Sequence, residues 1–146
     1  MYQNKKRYAL TNCVLLDGTE HMMPQTGKTV YVSGDTIVDI GGDSQIAAGY
    51  ERIDLGGKYL LPGLINLHVH LPASGKPRKK PSDPKKLVQL ITANGVMRSI
   101  GLKLCESYAK TELLSGVTTI RTVGGVADFD TIIRDQAAEG KILSPR

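Results

Sequence analysis

Two histidines stand two residues apart in LPGLINLHVHLPASGKP, residues 61–77. That spacing carries chemical meaning if the segment is a β-strand. Successive strand side chains point to opposite faces, so Asn66, His68 and His70 project together while Ile65, Leu67, Val69 and Leu71 cover the reverse side. Two imidazoles on one face can approach a single divalent cation, each offering a nitrogen at about 2.0–2.1 Å if the ion is zinc. His68 and His70 are therefore the candidate metal ligands, and Asn66 shares their face. His-x-His alone is common in ordinary strands. In isolation the spacing favours an ordinary strand pair. His21 has no ligand-spaced neighbour and reads as a surface loop residue.

The elements needed to position the pair follow from periodicity. Residues 8–55 hold short β-like runs, YALTNCVLL, KTVYV, TIVDIG and YERIDLG, punctuated by Ser33-Gly34-Asp35, Gly41-Gly42-Asp43 and Gly56-Gly57. Ser33-Gly34-Asp35 reads as a tight hairpin connection, and the region as an antiparallel sheet. After Pro62-Gly63 the pattern changes. A strand with an apolar back calls for helices behind it, as in a parallel α/β sheet or barrel. Ser82-Asp83-Pro84 is a helix start, followed by Leu87, Leu90 and Ile91, with Asn94-Gly95 as an interruption. The next helix runs to about Leu114, with Ile100, Leu104 and Tyr108 on one stripe, broadened by Leu102, Cys105, Ala109 and Leu113. VTTIRTV (117–123) reads as a strand. ADFDTIIRDQAAEG reads as a helix with Asp128 as its cap, Phe129, Ile132, Ile133 and Ala137 inward and Gly140 as its stop. KILSPR (141–146) opens a third strand. Two or three strand–helix units cannot close a barrel of eight, so the chain is expected to be incomplete.

Composition limits the alternatives. The chain has 146 residues, 40% hydrophobic and 23% charged, enough for ordinary globular material. No apolar run reaches the ~18 residues of a membrane span and no signal-peptide core follows the N-terminus, so a cytoplasmic location is the default expectation. Cys13 and Cys105 lack metal-knuckle or disulfide-framework spacing and read as buried thiols. The net charge of +5 is concentrated in KPRKKPSDPKK (76–86), which holds six basic residues against one acidic. Such a run usually keeps a loop solvated, and without interleaved aromatics it makes a poor nucleic-acid site. Lys76, Arg78, Lys79 and Lys80 could instead steer an anionic substrate.

The stretches IDLGGKYLLPGLINLHVHL and LLSGVTTIRTVGG together resemble the N-terminal third of the amidohydrolase superfamily, closest to its imidazolonepropionase-like and prolidase-like branch, and the resemblance runs over essentially the whole chain. It implies an α/β fold: residues 1–59 as N-terminal strands of a composite β-sandwich, then residues 60–146 as the first strand–helix units of an incomplete (β/α)8 TIM-like barrel, with His68 and His70 closing the first barrel strand. It implies a divalent metal cofactor, zinc foremost, as one or two ions in the complete enzyme. The implied reaction is hydrolysis of C–N bonds in amides, cyclic amides or dipeptide-like small molecules. Further ligands are implied on later strands: a lysine, often carboxylated, on the fourth and histidines on the fifth and sixth, with an aspartate on the last as base.

Two positions depart from the family pattern. Asn66 stands where members usually carry aspartate, and Thr122 where the TxRDxG version of the second strand has its aspartate. Neither is a direct ligand, but Asn66 brings no charge to its hydrogen bonds. The expected function is the N-terminal portion of a metal-dependent hydrolase, inactive alone. The alternatives are a metal-binding module complemented by another chain, and a nucleic-acid-binding domain using 76–86.

Overall fold

The structure is a computed structural model, and it describes residues 6–42, 45–73, 75 and 83–146. Lys76, Arg78, Lys79, Lys80 and Ser82 lie outside the described residues. The chain forms two compact units, Met1–Pro62 and Gly63–Arg146.

The first unit is one five-stranded sheet. Its strands are β1 (Arg7–Leu15), β2 (Gln25–Ser33), β3 (Thr36–Gly42), β4 (Glu51–Asp54) and β5 (Tyr59–Leu60). They run in the order β3-β2-β1-β4, with β5 also on β1. The hairpin forms as its residues require: Ser33 pairs with Thr36, and Gly34 takes a φ of +64°, which glycine adopts without steric cost. The sheet is mixed rather than antiparallel, because β4 and β5 both run parallel to β1. Ala9, Thr11, Cys13 and Leu15 alternate into the buried side of β1, and Thr29, Val30 and Tyr31 are buried on β2.

The second unit holds β6 (Leu64–Val69), α1 (Pro84–Thr92), α2 (Gly95–Leu114), β7 (Val117–Thr122) and α3 (Phe129–Ala138). β6 and β7 pair in parallel, as the intervening helices require. Close approach at the start of β6 depends on Gly63, where a Cβ would fall 2.1 Å from the Thr118 hydroxyl. Asp83 caps α1 by accepting from the Lys85 amide, and Asn94 caps α2 by accepting from that of Met97. Asp128 occupies the cap position of α3 without capping it. Its carboxylate instead binds Arg98 of α2, which holds it below the usual carboxylate range.

KILSPR forms no regular strand. Arg146 alone lies in strand register: its amide donates to Thr118 O and its carbonyl accepts from Ile120 N, both on β7. No helix among the described residues is long and apolar enough to cross a membrane.

The core of this unit is Val69, Leu71, Cys105, Ala109, Phe129 and Ile133. The stripe that α2 buries is therefore Gly101, Cys105 and Ala109, whereas Ile100 and Leu104 are exposed. The reason is steric. Phe129 lies so close that a Cβ on Gly101 would come within 2.9 Å of its ring, so only small residues fit on that face. The apolar back of β6 is likewise covered only in part: Val69 and Leu71 are buried, but Ile65 is 65% and Leu67 62% exposed.

Burial pushes the Cys105 thiol up from 9.0 to about 11, and the Asp130 and Glu106 carboxylates add to the shift. A raised folded-state value means that this group's contribution is complete below about pH 9 and is lost as pH rises towards 11, where the unfolded thiol is already ionised. The denaturation midpoint is expected to fall over that window, and less so in Cys105→Ala. Equal slopes in the two proteins would contradict the assignment.

Candidate functional site

β6 delivers both histidines to one place. Each lies at or just past the C-terminal end of the strand, where a rigid backbone on one side and open space on the other suit a ligand-bearing residue. The two Nε2 atoms are 3.2 Å apart and the rings meet at 61° with centroids 5.1 Å apart. Both rings are exposed rather than sealed in the core. Two nitrogens bound tetrahedrally to one zinc ion would stand about 3.3 Å apart, given zinc–nitrogen distances of about 2.0–2.1 Å. The pair therefore fits a shared divalent cation. Among the described residues no cluster of three or more His, Cys, Asp or Glu able to hold a metal is formed, so two imidazoles are the whole of the donor set described.

Asn66 does not reach the rings. Its Oδ1 accepts from the His68 amide at 3.2 Å, which pins the strand backbone beneath the first histidine. An uncharged amide suffices for that contact. A second tie comes from β7, where Arg121 Nε donates to the Leu67 carbonyl at 3.1 Å. Sequence reasoning did not single out Arg121, because the contact joins residues 54 apart. His70 also lies against the turn after β7: its Nδ1 is 3.5 Å from the Gly124 carbonyl.

Beside the pair is a cavity of about 270 Å³, bounded by Asn66, His68 and His70 and, from the last turns of α2, Tyr108, Thr111 and Glu112. The three α2 residues carry hydroxyl and carboxylate groups that periodicity alone does not mark as functional. His21, by contrast, lies exposed in the first unit.

No family model matches the chain. The imidazolonepropionase of Streptomyces avermitilis is 27% identical over 125 residues, covering 79% of this chain and 29% of that protein. The dihydroorotase of Trichlorobacter lovleyi is 48% identical over 42 residues, 29% of this chain and 10% of its own length. Among solved structures, a Xaa-Pro dipeptidase with methionine bound in its active site superposes with a TM-score of 0.72 at 25% identity, over 97% of this chain and 32% of that one. The chain thus spans about a third or less of the length of the proteins it matches.

Proposed function

We propose, from the premise that this chain belongs to the amidohydrolase superfamily and matches the N-terminal portion of its members, that it contributes the first metal-binding strand of a hydrolase acting on C–N bonds. The observation that carries the reading is the convergence of His68 and His70 Nε2 at 3.2 Å. A divalent cation held there, zinc foremost, would supply what amide hydrolysis requires, lowering the pKa of a water molecule towards about 7 and polarising the scissile carbonyl.

This chain's own residues bind and orient. His68 and His70 hold the cation, Asn66 and Arg121 fix the strand that carries them, and the cavity beside them receives a small amide, cyclic amide or dipeptide-like substrate. In this reading Met1–Pro62 is part of a composite sandwich and Gly63–Arg146 the opening strand–helix units of a (β/α)8 barrel. The lysine, the further histidines and the basic aspartate come from polypeptide outside these residues. Two neutral imidazoles are half of a tetrahedral shell, so the chain alone binds metal weakly and does not turn over substrate.

Hydrolysis of cyclic amides and Xaa-Pro dipeptides by the complete polypeptide is the test. Activity is expected to disappear on dialysis against a chelator and to return with added Zn²⁺. Hydrolysis that survives metal removal would overturn the proposal.

A further inference from the structure

We infer that Gly124 is a positioning residue for His70: its carbonyl selects the ring tautomer and its missing side chain leaves the space the ring occupies. This rests on the reading of His68 and His70 as metal ligands and adds to it the element that aims one of them.

The position of Gly124 is set by the sheet. Val123 N donates to Val69 O at 2.9 Å, so the residue after each is locked beside the other. That places the Gly124 carbonyl 3.5 Å from His70 Nδ1. The distance is long for a hydrogen bond, but the alternative tautomer is worse, since it would turn an Nδ1 lone pair towards a carbonyl oxygen. His70 therefore keeps its proton on Nδ1 and presents a bare Nε2. The contact with His68 agrees: two Nε2 atoms at 3.2 Å need one proton between them, and His68 is then the donor. His70 is thus preset for a cation, while His68 must move its proton to Nδ1 to bind one.

Space enforces the same arrangement. Gly124 has a φ of +79°, and a Cβ there would come 3.3 Å from both Cε1 and Nδ1 of His70. The neighbouring position is as closely approached, since a Cβ on Gly125 would fall 2.2 Å from the Asp130 carboxylate. A side chain at 124 is therefore strained at this φ and shifts the His70 ring by a few tenths of an ångström.

The test uses the ¹⁵N-histidine-labelled chain, with long-range ¹H–¹⁵N correlation spectra at about pH 8.5, where an ordinary histidine is neutral. His70 is expected as the Nδ1–H tautomer and His68 as Nε2–H, and a His70 proton on Nε2 would overturn the inference. Zn²⁺ titration on the same spectra adds a second readout. Gly124→Ala is expected to weaken Zn²⁺ binding about 10-fold or more, the usual cost of losing a ligand-orienting partner. Gly140→Ala is the control for backbone strain, since Gly140 has a φ of +69° with nothing within 4 Å, and its Zn²⁺ affinity is expected to be unchanged. Undiminished affinity in Gly124→Ala would count against the inference. The spectrum of the unaltered chain decides even if that variant does not fold. Zn²⁺ that shifts neither ring would instead overturn the metal reading on which this one rests, whereas Zn²⁺ that shifts both with His70 protonated on Nε2 would overturn the role of Gly124 alone.

Discussion

His68→Ala combined with His70→Ala is expected to abolish metal-dependent hydrolysis by the complete polypeptide while leaving the chain folded. Structural zinc sites contribute roughly 10–16 kcal/mol, which shared among four ligands is roughly 2.5–4 kcal/mol each, or about 10²–10³-fold in affinity per histidine. Both imidazoles are exposed, so truncation opens no core cavity and removes no buried hydrogen bond. Loss of Zn²⁺ binding with an unchanged circular dichroism spectrum and thermal midpoint would be the signature of a binding role. A fall in stability matching the fall in affinity would show the rings to be structural. Asn66→Ala separates the two roles further, because its contact is with the His68 amide and not with a ring.

Phe129→Ala is expected to destabilise the Gly63–Arg146 unit by about 3–5 kcal/mol. Phe129 is fully buried, heads α3 and fills the space that Gly101 leaves on α2. Arg98 adds to the contact from above, with its guanidinium 5.4 Å from the ring centroid while the same group binds Asp128. Among the described residues six make up the buried cluster, and a domain has about 5–15 kcal/mol of net stability in all. Removing its largest member is therefore close to removing the unit. Hydrogen exchange of α2 and α3 amides would report the loss locally. Ile100→Ala, at a position 55% exposed on the opposite stripe, is expected to change stability by no more than about 0.5 kcal/mol. The reverse ranking would mean that α2 is rotated from the face described.

Those two predictions mark where the sequence was legible. The histidine pair could be read because strand alternation is a local rule: residues two apart share a face whatever surrounds them. The Ser33-Gly34-Asp35 turn and the cap at Asp83 were legible for the same reason, whereas Asn94, read as an interruption, caps α2. The buried stripe of α2 was legible in part: Cys105 and Ala109 were read on the apolar face and are buried, but counting apolar residues also favours Ile100 and Leu104, whereas the size of Phe129, far along the chain, decides that small residues face the core. Asp128 was misread as a cap because its partner Arg98 is 30 residues away. The direction of β4 and β5 against β1 was equally hidden, since hydrophobic alternation is identical in parallel and antiparallel strands. Gly124 was not singled out at all, and only the ladder between β6 and β7 brings it to His70.

The reading of β6 as a metal-bearing strand depends on one geometric claim, that both imidazoles direct Nε2 at a common point. Crystals of the chain soaked in Zn²⁺ and measured at the zinc absorption edge test it directly. A single anomalous peak about 2.0–2.1 Å from Nε2 of His68 and of His70 is the predicted result. Zinc bound elsewhere with these rings unliganded, or rings turned to opposite faces of the sheet, would contradict it.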